Sequence, residues 1–569
     1  MVNQPVVRTW GLSALAVMLM FGGGSGAAAE SLAQATPLIP SIDPLLPPED
    51  DLPPEPILEI EPPGSQPPEF QPPAPGPPAP PAQVLVERFV VEGSTVFSEA
   101  ELAAAVDPFV GKSLTLAELQ QAADAVTQLY LNAGYLTSEA VLPPQEVEAG
   151  LVRLRVIEGF LEEIRVEGSD RLTDYVRQRV ALAGSAPVNQ NRLEDQLRLL
   201  QTDSLFDNVE AGLRQGETEG GSLLTVRVSE APAFSGSFGL DTLSPRSVGQ
   251  FRTGATLRYQ NLAGLGDRLQ ASAYRSTTGG SHAYDLSYQI PFNPQNGTLL
   301  LRLAPNNYRI TDSSLPEFNL GLSGSADSYE VLVRQPLIRT TEEELALSAG
   351  FRHRQGSTLL LGFITPPTIT SVFSVGQDYI RRDASGVWGI QSQFRLGTGL
   401  FNASVAPVGP DATFWSWQGQ VQRWQVLNSN HRLLIQGNVQ LTTDSLLGSE
   451  QFVLGGAQSV RGYYQNQRFG DNGLRLSIED YITLQRDNNG RPITRLIPFL
   501  DVGYVWATNP VAVAPRQNWM VGTGLALETQ LLDNLSARMD LGVPLVTLDE
   551  LPSDRPSGLR AYFDVRYRF

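Results

Sequence analysis

The chain has 569 residues, no cysteine and a formal net charge of −19. Its length calls for several domains. The missing thiols exclude disulfide frameworks, thiolate metal sites and cysteine nucleophiles and suit passage through an oxidising compartment, while the acidic balance argues against nucleic acid as a partner.

The chain opens with Arg8 ahead of an apolar stretch, Leu12–Phe21, followed by glycines and Ala27-Ala28-Ala29 before Glu30. This reads as a secretory signal peptide over residues 1–29, since the apolar stretch is roughly half the ~20 residues a spanning helix needs. Ala33-Gln34-Ala35 offers a second cleavage site. No later segment reaches spanning-helix length without charges, so any membrane crossing falls to strands.

Residues 30–82 form a proline-rich linker, with nineteen prolines and eight Asp or Glu between positions 37 and 82. Proline fixes φ and removes the amide donor, which predicts an extended, solvated, disordered spacer.

At Val84 the pattern changes. An alternating strand Val84–Glu92 leads through Gly93-Ser94 to two helical stretches, the second over Leu116–Asn132. Leu116, Leu119, Ala123, Val126 and Tyr130 share one face of it, and Thr115 with Glu118 provides a capping box. Strands near Leu136–Leu142 and Leu151–Ile157 complete a β-α-α-β-β unit. That unit repeats. Val91-Glu92-Gly93-Ser94 recurs as Val166-Glu167-Gly168-Ser169, and Val152–Glu158 is matched by Leu224–Glu230. Two tandem copies of one small domain, 83–159 and 160–232, are the economical reading. The second copy predicts helices near Asp174–Leu182 and Gln190–Thr202, and strands over Leu161–Glu167, Asn208–Leu213 and Leu223–Val228.

From residue 233 to 569 helical periodicity gives way to about sixteen alternating segments of roughly ten residues, the length of a tilted membrane strand. The last is the clearest. Leu559, Ala561, Phe563, Val565, Tyr567 and Phe569 fall on one face, with Arg560, Asp564, Arg566 and Arg568 opposite, and Tyr562 is the sole large ring on the polar side. Pro291–Gly297 and Leu531–Asn534 read as tight turns, and Asp444–Gly473 as the longest connection. An even-numbered antiparallel barrel with short periplasmic turns and longer outer loops accounts for this asymmetry. The strand ending in Phe569 is expected to serve as the membrane-assembly signal.

No catalytic or cofactor signature is present. His282, His353 and His431 are far apart, with no metal-binding spacing, and neither a phosphate loop nor a nucleophile elbow occurs. Gly522-Thr523-Gly524 lies in an alternating strand with no helix after it and reads as glycine where backbones pack closely. The expectation is a non-enzyme without cofactor or metal.

Val460-Arg461-Gly462-Tyr463 lies in the long connection, and the strand Phe499-Leu500-Asp501-Val502-Gly503 follows some forty residues later. The pair resembles the VRG[FY] and FxDxG motifs of the TpsB family, the outer-membrane pore components of two-partner (type V) secretion. The resemblance covers about residues 83–569. It implies that the repeats are periplasmic polypeptide-transport-associated (POTRA) domains and that a loop of about 444–473 folds back into the lumen of a sixteen-stranded barrel. It also implies that the pore, in the outer membrane of a Gram-negative-type bacterium, translocates an unfolded exoprotein. The partners expected are that exoprotein, outer-membrane lipid and the barrel-assembly machinery.

Alternation along Arg495–Val505 points Asp501 into the lumen with Phe499 and Gly503, where an aspartate needs a cationic partner. Arg461 is the expected one, in an ion pair that holds the loop inside. Leu119, Val126 and Tyr130 are candidate substrate contacts in a groove between helix and sheet. A factor inserting other barrels into the membrane is the leading alternative, and a passive porin a lesser one. One departure from the family is expected: the prolines between residues 37 and 56 leave no room for an N-terminal helix that plugs the barrel.

Overall fold

The computed structural model describes residues 58–60, 83–314, 316–407, 409–509, 518–548 and 558–569. The signal segment, the stretch expected to hold no plug helix and most of the linker lie outside the described residues. The chain divides into two compact units, one built chiefly from residues 53–232 and the other from the chain beyond 233.

The first unit holds the two repeats. In the first, the strands are β2 (Gln83–Leu85), β3 (Arg88–Glu92), β4 (Ser113–Thr115), β5 (Glu139–Val141) and β6 (Leu151–Ile157), with helices α1 (Glu99–Val106) and α2 (Leu116–Asn132). The alternating stretch Val84–Glu92 is not one strand. β2 pairs with β4, whereas β3 pairs in parallel with β6. The partner changes because the Glu87 and Arg88 amides both turn to Gly150 O, at 2.8 and 3.2 Å. Capping boxes at Ser98/Glu101 and Thr115/Glu118 start the two helices.

The second repeat comprises β7 (Phe160–Glu167), α3 (Thr173–Val180), α4 (Gln190–Gln201), β8 (Phe206–Gln215) and β9 (Gly221–Glu230). The recurring Val-Glu-Gly-Ser has a backbone reason. Gly93 and Gly168 sit at φ +90° and +93°, and a Cβ there would fall 2.6 Å from Val156 O and 2.0 Å from Val228 O. Each turn therefore packs its glycine against the last strand of its own repeat.

Two further sequence expectations are corrected in this unit. Leu119, Val126 and Tyr130 are no more than 5 % exposed and sit in the core with Leu102, Val152 and Leu154, so they have no surface to offer a substrate. The apolar face of α2 is consumed by the sheet beneath it, which at ~1.5–3 kcal/mol per buried side chain is ample reason. The linker is likewise not spacer throughout. β1 (Leu58–Ile60) adds in parallel to Ala211–Leu213 of β8, giving a sheet of order β1-β8-β9-β7. Leu58-Glu59-Ile60 is a proline-free interval between Pro56 and Pro62 and so keeps the amides a ladder needs.

The second unit is a closed antiparallel barrel. Its strands begin with β10 (Phe234–Asp241), β11 (Arg252–Gln260), β12 (Arg268–Ser276), β13 (Ser281–Pro291), β14 (Thr298–Arg309) and β15 (Ser323–Arg339). They continue with β16 (Glu343–Leu360), the two-residue β17 (Phe363–Ile364), β18 (Thr368–Asp383), β19 (Gly386–Thr398), β20 (Phe414–Val426) and β21 (His431–Leu441). After a long loop holding β22 (Phe452–Leu454) and β23 (Arg468–Gly470) come β24 (Asn472–Arg486), β25 (Pro492–Trp506), β26 (Trp519–Leu532), β27 (Leu535–Pro544) and β28 (Arg560–Arg568). Leaving aside β17 and the loop hairpin, sixteen strands form the wall.

Alternation sorts the side chains. Phe238, Leu257, Leu303, Val375, Phe394 and Leu500 are exposed on the outside, as a lipid-facing surface requires, while the polar residues between them face the lumen. β10 closes on β28, and just past this ladder Phe569 exchanges backbone hydrogen bonds with Gly236 (2.8 and 3.0 Å). A Cβ on Gly236 would meet the Phe569 ring at 2.5 Å, so the glycine makes room for that ring.

Candidate functional site: the lumenal loop and the wall that holds it

The connection between β21 and β24 spans residues 442–471. β22 pairs with β23 to make a narrow hairpin whose far end carries Val460–Tyr463. Phe452, Leu454, Val460 and Tyr463 bury themselves with Val505 of β25, Met520 of β26 and Leu548. An outer loop that packs an apolar cluster against lumen-facing positions is folded into the barrel.

Arg461 heads the fully buried side chains in size, at 1 % exposure. Its Nε and Nη2 donate to Asp501 Oδ2 and Oδ1 at 2.7 and 2.8 Å, and its backbone amide donates to Oδ2 at 3.0 Å. Nη1 lies 2.6 Å from Glu479 Oε1 and 3.1 Å from Asp540 Oδ1. The guanidinium carbon stands 3.5 Å from the centroid of the Phe499 ring. Ser477 Oγ donates to Asp501 Oδ1 at 2.6 Å. Three carboxylates from β24, β25 and β27 thus converge on the loop arginine, and Arg538 shares two of them, at 2.9 Å from Asp540 and 3.6 Å from Glu479. Charges taken this far from water persist only when paired and hydrogen-bonded, and here they are.

The rest of the motif is tied by its backbone. The Gly462 amide donates to Tyr562 Oη at 3.0 Å, and that hydroxyl donates to Tyr463 O at 2.6 Å. Tyr463 Oη sits 2.8 Å from Val546 O and 3.0 Å from Val521 O. Gly503 leaves space for Leu454 and Val460, since a Cβ there would lie 2.7 Å from Leu454 Cδ1. On β26, a Cβ at Gly522 would fall 1.7 Å from Arg461 O, so this glycine is where the loop backbone touches the wall.

Glu479, Asp540 and Tyr562 escape a motif search. Their sign in the sequence is faint: polar or charged groups on the lumen parity of neighbouring strands, with Tyr562 the one large ring among them. The histidines do not gather. His353 Nδ1 lies 3.0 Å from Ser371 Oγ, and His431 Nδ1 lies 3.0 Å from Asp480 Oδ2. Among the described residues no group of His, Cys, Asp and Glu has the arrangement of a metal site.

Residues 220–529 match the family described as haemolysin secretion/activation protein ShlB/FhaC/HecB, and residues 84–159 match the ShlB-type POTRA domain. The chain belongs to this family. It is 26 % identical over 517 residues to the outer membrane transporter CdiB of Escherichia coli O6:K15:H31 (strain 536 / UPEC), covering 85 % of this chain and 82 % of that one. It is 23 % identical over 457 residues to the hemolysin transporter protein ShlB of Serratia marcescens, covering 77 % of each. The solved structure of CdiB from Escherichia coli superposes with a TM-score of 0.68 at 23 % identity, over all of both chains, which speaks to the fold. This TpsB protein is therefore an outer-membrane pore for exoprotein secretion, with its POTRA region in the periplasm.

Proposed function

We propose that this transporter rests with its lumen occluded by the 442–471 loop, held by Arg461 on Asp501, and that translocation proceeds when an arriving exoprotein displaces that loop. The observation that carries the reading is the burial of Arg461 among Glu479, Asp501 and Asp540. A loop arginine that served only the surface would have no reason to give up its hydration there.

Capture precedes displacement. An unfolded segment can add as a further strand to an open sheet edge, bound largely through its backbone. The first repeat has the sheet order β3-β6-β5 and the second β1-β8-β9-β7, so β3, β5 and β7 are edges, whereas β8 already carries β1. Substrate using the β8 edge has to displace Leu58–Ile60. The other partners on this reading are outer-membrane lipid along the apolar outer face and, during biogenesis, barrel-assembly machinery that recognises the strand ending in Phe569. No catalytic step, cofactor or metal enters it.

The test is Arg461→Ala in a strain that secretes the cognate exoprotein. The resting pore should become leaky to small solutes while the barrel stays in the outer membrane in normal amount. A pore no leakier than the wild type would sink the assignment, and a general loss of other outer-membrane barrels would favour the barrel-insertion alternative.

A further inference from the structure

Eleven residues before Arg461, the same loop meets the wall a second time. Glu450 lies in a short turn of 3₁₀ helix and is 0 % exposed. Its Oε2 accepts from Arg352 Nη2 of β16 at 2.8 Å and forms a close ion pair with Arg395 Nη2 of β19. Its Oε1 accepts from Thr370 Oγ1 of β18 at 3.0 Å. Gln440 of β21 donates to the Glu450 carbonyl at 3.0 Å, and the neighbouring Leu446 is buried against Val372 and Phe414.

This contact is neither near the Arg461 site nor of its sign. Along the wall, β20 and β21 stand between the arc β16–β19 that receives Glu450 and the arc β24–β28 that receives Arg461. On the first arc the wall supplies guanidinium groups and the loop a carboxylate. On the second the wall supplies carboxylates and the loop a guanidinium. Among the described residues, no other carboxylate lies within ion-pair distance of Arg352 or Arg395. Withdrawing the loop strips their counter-ion from both at once, just as it strips Arg461 from the three acids opposite.

We propose that Glu450 is a second latch of opposite polarity, so that the loop bridges a basic and an acidic arc of the lumen and leaves only when both ion-pair clusters are broken. The proposal rests on the reading of this loop as the occluding element. It assigns a gating role to Glu450, Arg352 and Arg395, none of which lies in either sequence motif. Two latches on separate arcs also resist a pull that breaks one of them, because the other still holds the loop across the pore.

The experiment uses purified full-length protein in planar lipid bilayers, with heat-modifiable gel migration confirming a folded barrel. Glu450→Gln should raise occupancy of the high-conductance state about tenfold, the scale on which weakening one restraint shifts a two-state equilibrium. Arg395→Gln, which leaves Glu450 one guanidinium, is the second route should Glu450→Gln not fold, and should raise occupancy in the same direction. The double variant should be less open than the product of the two single effects, the sign of a direct coupling. If Arg461→Ala opens the pore while Glu450→Gln and Arg395→Gln do not, the second latch is wrong and the occluding loop stands. If none of the three opens it, the occluding loop falls and the latch with it. Independent, multiplying effects of the two single substitutions also overturn the latch.

Discussion

Arg461 and Asp501, forty residues apart in the chain, meet inside the barrel through paired guanidinium–carboxylate hydrogen bonds of 2.7 and 2.8 Å, with the Arg461 amide on the same carboxylate. Asp501 is 0 % exposed. The contact thus joins a loop tip to a strand at a point where neither charge has water to fall back on.

Asp501→Asn should therefore free the loop tip even though the side chain keeps its size. Breaking a buried pair by removing one partner costs ~3–5 kcal/mol, more than an exposed loop contact contributes. Limited proteolysis should cut within 442–471 faster than in the wild type, with the rest of the barrel resistant. Asp501→Glu keeps the charge but moves it outward and should lie between the two.

Gly522→Ala tests the same closure without touching any charge. The new methyl group would occupy the position of Arg461 O, 1.7 Å away, and neither β26 nor the hairpin has a flexible side chain there to yield. Pore conductance should rise as it does in Arg461→Ala. An alanine at this site that leaves conductance at the wild-type level would mean that the tip is not seated on β26.

In the second repeat, deleting Leu58–Ile60 uncovers β8. The amides of Ala211–Leu213 that pair with β1 should then exchange hydrogen faster, whereas those facing β9 should not change. If this edge receives the exoprotein, the deletion also strengthens binding of a peptide from the cargo, because that peptide no longer competes with the chain's own strand.

The first repeat carries a pH-dependent tie. Burial works to raise the Glu158 carboxyl, but hydrogen bonds from Thr95 and Tyr130 outweigh it and hold the group below the usual carboxylate range. Tyr130 Oη lies 2.8 Å from Glu158 Oε1 and 2.7 Å from Ser94 Oγ, linking α2 to the end of β6 and the first glycine turn. A depressed folded pKa means stability that is present above the unfolded value of about 4.3 and lost as pH falls through the folded one. Hydrogen exchange of the α2 amides in the full chain should become less protected over that acid range. In Glu158→Gln, protection should be lower at neutral pH and this tie's contribution to the acid-range change should vanish.

Much of this architecture is legible in the chain because its signals are local. A period of two from 233 onward, a helical face closed by a capping box at Thr115 and Glu118, and a recurring glycine turn all depend on neighbours within a few residues. The motif pair at 460–463 and 499–503 likewise carries its own label. Where local pattern met a tertiary choice, reading failed. The Val84–Glu92 alternation is compatible with one strand or two, and only the Gly150 carbonyl decides. The α2 stripe of Leu119, Val126 and Tyr130 identifies a buried face without saying whether a sheet or a substrate covers it.

The composition of the two loop anchorages was decided by tertiary structure alone. Glu479, Asp540 and Tyr562 become partners of the loop tip, and Arg352 and Arg395 partners of Glu450, because barrel closure brings strands to one lumen from positions 18 to 100 residues away along the chain. In sequence, a lumen-facing charge that is solvated and one that is locked to a loop occupy the same parity of the same strand. What distinguishes them is whether an opposite charge arrives to replace the lost water, and that depends on where the folded loop goes.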